Sequence, residues 1–141
     1  MRLAAAVLAG TILAGCGRVT GPGSDVLEQR RVGVIDLYSQ GIAVTVPDTV
    51  QAGVPFVVSV TTYGDGCDRQ DGTDVQATKL LASVTPYDLH ANSAVCTDVL
   101  KLFQHQANVV FPEPGSAAIV VYGRVLPADS LIGVDRQVIV Q

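Results

Sequence analysis

The alternation of apolar and other residues along the chain predicts a β-rich protein. In the segment VPFVVSVT, four apolar side chains stand at alternate positions: Val54, Phe56, Val58 and Val60. A period of two residues is typical of a strand that buries one face. The preceding Ala52-Gly53 predicts a turn at the entrance to this strand.

Further apolar runs of strand length recur through the chain, separated by Gly, Pro, Asp and Ser. They cover residues 32–35, 42–46, 80–85, 107–111, 117–125 and 131–140. A parallel sheet would need crossover segments of about a dozen residues or more, usually helical, and the pattern contains none. The spacing therefore predicts an all-β fold of about seven short strands, either a β-sandwich or a small barrel.

One segment has a different periodicity. Val95, Val99, Leu102 and Phe103 recur at helical spacing around residues 96–103, and either Ser93 or Thr97 is a suitable capping residue. The sequence predicts one short helical turn there.

Two longer stretches carry a family resemblance. VPDTVQAGVPFVVSVTTYG, followed later by VVFPEPGSAAIVVYGRV, resembles the bacterial immunoglobulin-like domains of secreted proteins. The resemblance implies an immunoglobulin-like β-sandwich, which we assign to residues 31–141. The chain has no tryptophan, and Cys67 and Cys96 fall between predicted strands, so the inter-sheet disulfide of antibody domains is not carried over.

The first residues have the order of a secretory signal peptide. Arg2 supplies a positive charge, residues 3–13 are mainly apolar, and small residues follow. The run is shorter than the roughly 20 residues that a membrane-spanning helix needs. We therefore predict a signal peptide over residues 1–15.

The four residues at the end of this run, Leu13-Ala14-Gly15-Cys16, resemble the lipobox of bacterial lipoproteins. The resemblance implies that Cys16 carries a diacylglyceryl lipid and holds the protein to a membrane of the cell envelope. It implies the outer membrane if the organism has one, because Gly17 is not aspartate. Residues 16–30, rich in glycine, are predicted to form a tether.

The two remaining cysteines are predicted to form a disulfide. Export delivers a protein to an oxidising compartment, and Cys67 and Cys96 are the pair left if Cys16 is lipidated. Closing a loop of about 30 residues would contribute roughly 3.5 kcal/mol. The alternative, a reactive thiol, lacks any surrounding signature of a cysteine nucleophile.

Charge excludes one class of partner. The chain has a formal net charge of −4 and no cluster of basic residues. Nucleic-acid binding is therefore excluded, since it depends on clustered cations. A polybasic contact with lipid is absent too, so the lipid alone would provide the membrane attachment.

The stretch YGDGCDRQDGTD is the strongest candidate for metal chemistry. Its aspartates recur every three residues and are weak candidate ligands for calcium: Asp65, Asp68, Asp71 and Asp74. The spacing does not fit an EF-hand, and we predict a solvated acidic loop. His90 and His105 are predicted to be ordinary loop or turn residues, because their spacing to Cys96 is loose for a zinc site.

No catalytic signature is present, since the sequence contains neither G-x-S-x-G nor H-E-x-x-H nor a phosphate-binding loop. The sequence predicts a non-catalytic binding or structural module without a cofactor, whose partners are the membrane and a further envelope protein. Tyr63 and Tyr87 are the predicted contact surface. The alternative is a small envelope enzyme or calcium-binding protein that uses the Asp65–Asp74 loop. Aspartates converging with a histidine in a concave site would favour that alternative, and a flat convex end would favour the binding module.

Overall fold

The computed structural model describes residues 27–37, 43–93 and 95–141. Within those ranges every regular element is a β-strand and none is a helix, which confirms the all-β prediction. No helix that could cross a membrane is therefore found in the part described. The strands are β1 Glu28–Val32, β2 Val34–Leu37, β3 Val44–Thr45, β4 Thr49–Val50, β5 Phe56–Gly64, β6 Asp68–Ala77, β7 Leu81–Ala91, β8 Lys101–Val109, β9 Gly115–Leu126 and β10 Ser130–Val140.

The strands form a sandwich-like mixed sheet that folds over one core. On one side β5 pairs with β3 and β8, and on the other side β7 and β9 pair with each other and with β1, β6 and β10. β2 joins the two sides, because it pairs antiparallel with β5 and parallel with β9. All hairpin-connected neighbours are antiparallel, as short connections require.

The core lies between the inward faces of these strands. Period-two burial is clearest in β5 and β9, where Val58, Val60, Ile119 and Val121 have essentially no exposed surface. Phe111 is fully buried, and its ring centroid lies 5.7 Å from that of Phe56. Burial of each such side chain contributes about 1.5–3 kcal/mol, so the alternation read from the sequence identifies the main source of stability.

The sandwich has two ends with different connections. We call the end formed by residues 27–28, 65–67, 92–93, 95–102 and 127–131 the strap end, and residues 95–100, which precede β8, the strap. The opposite end carries residues 51–55, 78–80 and 110–114. Because β5, β7 and β9 each run the length of the sandwich, residues near their carboxyl ends meet at the strap end.

Three sequence predictions need correction. The described residues form ten strands rather than about seven, and the strap continues into β8 at Lys101 instead of forming a helical turn over residues 96–103. Pairing of β8 with β5 along its whole length overrides the local helical spacing. From Asp68 onward the acidic stretch is the strand β6, which pairs with β7, and not the predicted loop.

The folded domain begins a few residues earlier than the predicted boundary at residue 31. β1 begins at Glu28 and pairs with the end of β7, so residues 28–30 belong to the domain rather than to the predicted tether. The predicted signal peptide and the predicted lipidation site, Cys16, lie outside the described residues.

Candidate functional site

The strap is fastened to the turn between β5 and β6. Cys67 and Cys96 form the predicted disulfide, with their Cα atoms 5.2 Å apart. The Gly66 amide donates a 3.0 Å hydrogen bond to the Thr97 carbonyl, and Lys101 Nζ donates to the carbonyl oxygen of Gly66 at 3.1 Å. Because these contacts are covalent or involve the backbone, the strap has a fixed position over the end of the sandwich.

A close approach explains the glycine in this turn. A Cβ atom on Gly66 would lie 1.8 Å from Thr97 Oγ1, a distance that no pair of atoms can adopt without a shift. The sequence G-D-G-C therefore provides both the cysteine and the space that the strap needs.

Beneath the strap lies a cavity of about 470 Å³, which we call the strap pocket. This volume is within the range of small-molecule sites. Apolar side chains from the strap, β2, β5 and β9 form part of the wall: Val34, Tyr63, Val99, Leu100 and Leu126. The charged or titratable side chains in the wall are Arg31, Asp65, Asp68, His90, Asp98 and Arg124.

Two aspartates and a histidine converge in the strap pocket. His90 Nδ1 lies 2.8 Å from Asp68 Oδ1, and Asp68 Oδ2 accepts a 2.9 Å hydrogen bond from the Asp65 amide. Potential ligand atoms of all three side chains lie within 4.8 Å of one another. His90 is thus not an ordinary loop residue, because pairing of Asp68 with His90 across β6 and β7 brings it to the cluster. Aspartates converging with a histidine in a concave site favour the metal-dependent alternative.

The other two predicted aspartates bind a different partner. Arg30 donates from Nε to Asp71 Oδ2 at 2.7 Å and from Nη2 to Asp74 Oδ1 at 3.1 Å. Its guanidinium also lies 3.5 Å from the centroid of the Tyr87 ring. The four aspartates predicted as weak calcium ligands therefore separate into two pairs, and only Asp65 and Asp68 line the strap pocket.

A second ion pair, next to that of Arg30 with Asp71 and Asp74, also connects β1 with β6 across β7. Arg69 of β6 binds Glu28 of β1, with Nε 2.8 Å from Glu28 Oε1. We call these two ion-pair groups the β1–β6 clasp, consisting of Glu28, Arg30, Arg69, Asp71 and Asp74. The hydrogen bond from Arg69 lowers the pKa of the Glu28 carboxyl, and the hydrogen bond from Arg30 lowers the pKa of Asp71.

The two tyrosines predicted as a contact surface have different surroundings. Tyr63 lines the strap pocket, whereas one face of the Tyr87 ring is covered by Arg30. Of the two, only Tyr63 lines the strap pocket, and a shared contact surface stays a prediction.

A buried polar cluster lies inside the core near the strap end. His105, predicted to be a loop residue, is 1% exposed and projects inward from β8. Its Nε2 lies 3.0 Å from Thr62 Oγ1 and 3.1 Å from Asp88 Oδ1. Asp88 Oδ2 is buried without a hydrogen-bond partner.

This cluster does not have the arrangement of a catalytic triad. In a triad the histidine uses one ring nitrogen for the nucleophile and the other for the acid, whereas Thr62 and Asp88 both contact Nε2. Thr73 Oγ1 lies 3.4 Å from Nδ1, a long contact, and Thr73 does not line the strap pocket. We interpret the cluster as structural, since substrate has no path to it.

One sequence signal could have identified Asp88. The period-two pattern of β7 continues through Ala82, Val84, Pro86 and Asp88, all of which face inward. Pro86 ends the predicted strand at residue 85, because proline removes a hydrogen-bond donor. No comparable signal in the sequence connects Asp68 to His90, which are 22 residues apart.

Comparison of the chain with protein-family models, with curated proteins and with solved structures finds no match.

Proposed function

We propose that this chain is an exported, lipid-anchored binding module of a bacterial cell envelope, and that the strap pocket is its binding site. The observation that carries the proposal is a pocket of ligand size whose wall is fixed by the Cys67–Cys96 disulfide. A preformed wall lowers the entropy cost of binding, as a recognition site requires. The disulfide is compatible with an oxidising compartment, and the lipobox at Cys16 supports anchoring.

The wall indicates the chemistry of the ligand. Val99, Leu100 and Leu126 provide apolar surface, while the carboxylates of Asp65 and Asp98 accept hydrogen bonds. A small ligand or peptide end with an apolar body and a cationic or hydrogen-bond-donating group fits this combination. Such a mixture of apolar wall and few polar groups is typical of small-molecule sites.

The lipid anchor is tested by mass spectrometry of the protein purified from a bacterial envelope. We expect the mass of a chain that starts at Cys16 and carries a diacylglyceryl group. A Cys16→Ser variant should remain unprocessed and unlipidated, which provides the matched control. An uncut chain without lipid in the unaltered protein would refute the anchor.

The pocket is tested separately by photo-crosslinking in intact envelopes. A photoreactive residue in place of Leu100, in the pocket wall, should capture one defined ligand or envelope protein. The same residue in place of Val54, at the opposite end, should not capture it. Equal capture from both positions would refute the assignment of the binding site.

A second candidate function is binding of a divalent transition metal by Asp65, Asp68 and His90. The observation that favours it is the convergence of their ligand atoms within 4.8 Å. Two carboxylates and an imidazole suit zinc or manganese, whereas calcium prefers oxygen ligands alone.

Thermal unfolding with zinc, manganese or calcium tests this candidate. A metal present at about 100 times its Kd should stabilise the fold by about 2.7 kcal/mol, which raises the Tm by several degrees. Asp68→Asn should abolish the shift, while Asp74→Asn, in the β1–β6 clasp, should retain it. An unchanged Tm with zinc and with manganese would exclude the metal site.

A further inference from the structure

We propose that the strap end of the domain rests on the lipid bilayer, with its exposed apolar side chains in contact with the headgroup and upper acyl region. This inference rests on the proposed lipid anchor and goes beyond it. The anchor states that the protein is attached, whereas the inference states which surface of the domain touches lipid.

The first observation is the distribution of exposed apolar side chains. Among the described residues, the six most exposed large apolar side chains all lie at the strap end, with exposed fractions between 55% and 81%. They are Leu27, Val95, Val99, Leu100, Leu102 and Leu131. Val99 and Leu100 also line the strap pocket, so we assign the lipid contact to the other four. Their positions follow from the pairing: Leu102 is opposite Tyr63 and Leu131 is opposite Arg124, both of which line the strap pocket. Concentrated exposed apolar surface marks an interaction site.

The second observation is where the chain enters the domain. The carbonyl oxygen of Leu27 accepts a 3.0 Å hydrogen bond from the amide of Asn92, so the chain enters at the strap end. Cys16 precedes Leu27 by 11 residues, which can span at most about 40 Å. The opposite end is farther from the entry point by the length of β5, roughly 30 Å. Because the anchored segment joins the domain at its apolar end, any span shorter than about 30 Å keeps this end closest to the membrane.

The charges at this end indicate that the contact is apolar rather than electrostatic. Most cations there already have a protein partner, since Arg69 binds Glu28 and Arg124 binds Asp129. Lys101 Nζ donates to two backbone carbonyl oxygens. Binding to anionic lipid depends on free cationic groups, so we expect neutral phosphatidylcholine to serve as well as anionic lipid.

The chain offers a clean spectroscopic test, because it has no tryptophan. Val95→Trp and Leu131→Trp place a single reporter at the strap end, and Val54→Trp places one at the opposite end. None of these three side chains lines the strap pocket. All three valine or leucine side chains are substantially exposed, so the substitutions should leave the core intact.

The experiment uses the full lipidated chain in phosphatidylcholine vesicles, with or without brominated phosphatidylcholine. Brominated acyl chains quench tryptophan only at short range. We expect a blue-shifted emission and a loss of intensity for Val95→Trp and Leu131→Trp, and neither change for Val54→Trp. Adding anionic lipid should not increase the loss.

Three results would overturn the inference, and each has a separate meaning. A chain that does not float with the vesicles refutes the lipid anchor and the orientation together. A floating chain in which all three reporters remain unquenched refutes the orientation alone. Iodide quenches tryptophan from the aqueous side. Strap-end reporters that are shielded from iodide but not quenched by brominated lipid, with shielding that increases with the density of protein on the vesicle, show that a second copy of the chain covers this surface instead.

Discussion

Replacing His105 by leucine removes the centre of the buried polar cluster while preserving most of its volume. The imidazole is the only hydrogen-bond partner of the Asp88 side chain among the described residues. In the variant Asp88 Oδ1 loses its partner, and Oδ2 has none even in the unaltered protein, although the side chain is only 7% exposed. The variant therefore tests whether the cluster holds the core together.

The expected loss follows from these contacts. Removing the imidazole leaves two buried groups, the Asp88 carboxyl and the Thr62 hydroxyl, without their hydrogen-bond partner. Each costs about 1–3 kcal/mol, or roughly 3–5 kcal/mol for the two together. The additional apolar surface of leucine returns about 1 kcal/mol. We expect His105→Leu to lower the free energy of unfolding by about 2–4 kcal/mol, a large share of the 5–15 kcal/mol typical of a domain.

Urea unfolding of the oxidised protein, followed by circular dichroism, measures this loss. Gln106→Leu, the neighbouring position on the exposed face of β8, should change the free energy of unfolding by less than about 0.5 kcal/mol. Adding Asp88→Leu to His105→Leu should recover about 2 kcal/mol, because the second substitution removes the buried polar group that was left without a partner. A His105→Leu variant as stable as the Gln106→Leu control would refute the reasoning.

Three further predictions concern the strap and the β1–β6 clasp. Gly66→Ala should lower the free energy of unfolding by about 1–3 kcal/mol, because its Cβ meets Thr97 Oγ1 at 1.8 Å; Gly72→Ala, whose nearest neighbour would be Arg30 at 3.9 Å, is the matched control in urea unfolding. Replacing both cysteines of the disulfide by serine should cost about 3.5 kcal/mol, and reduction of the unaltered protein should give the same loss if loop closure is the cause. Since the pKa of Asp71 is lower in the folded state, its contribution is present above about pH 4 and is lost as the pH falls through the folded-state pKa. Asp71→Asn should thus flatten the acid limb of a stability–pH profile, and an unchanged limb would contradict this interpretation.

The strands that the sequence predicts well are those in which one face alternates strictly. Val58 and Val60 have no competing local signal, so burial follows directly from the period. The helical turn predicted over residues 96–103 was wrong, because the spacing of Val99, Leu102 and Phe103 fits a helix as well as a strand. Pairing of β8 with β5 decides between the two, and that pairing joins residues 37 to 53 positions apart.

Part of the candidate site could be predicted from the sequence. The disulfide follows from counting cysteines, and the acidic stretch identified Asp65 and Asp68 as candidate ligands. The sequence could not separate these two from Asp71 and Asp74, because the separation depends on Arg30 reaching across β7. The lipid on Cys16 stays a prediction of the sequence.

By itself the sequence determined the all-β architecture, the cysteine pair and the acidic segment, since each depends on neighbouring residues or on composition. Only the tertiary structure decided that His90 joins Asp68 in a pocket and that His105 joins Asp88 in the core. Their contacts depend on the register between strands, which is set by the burial of whole sheet faces and not by any short segment of the chain.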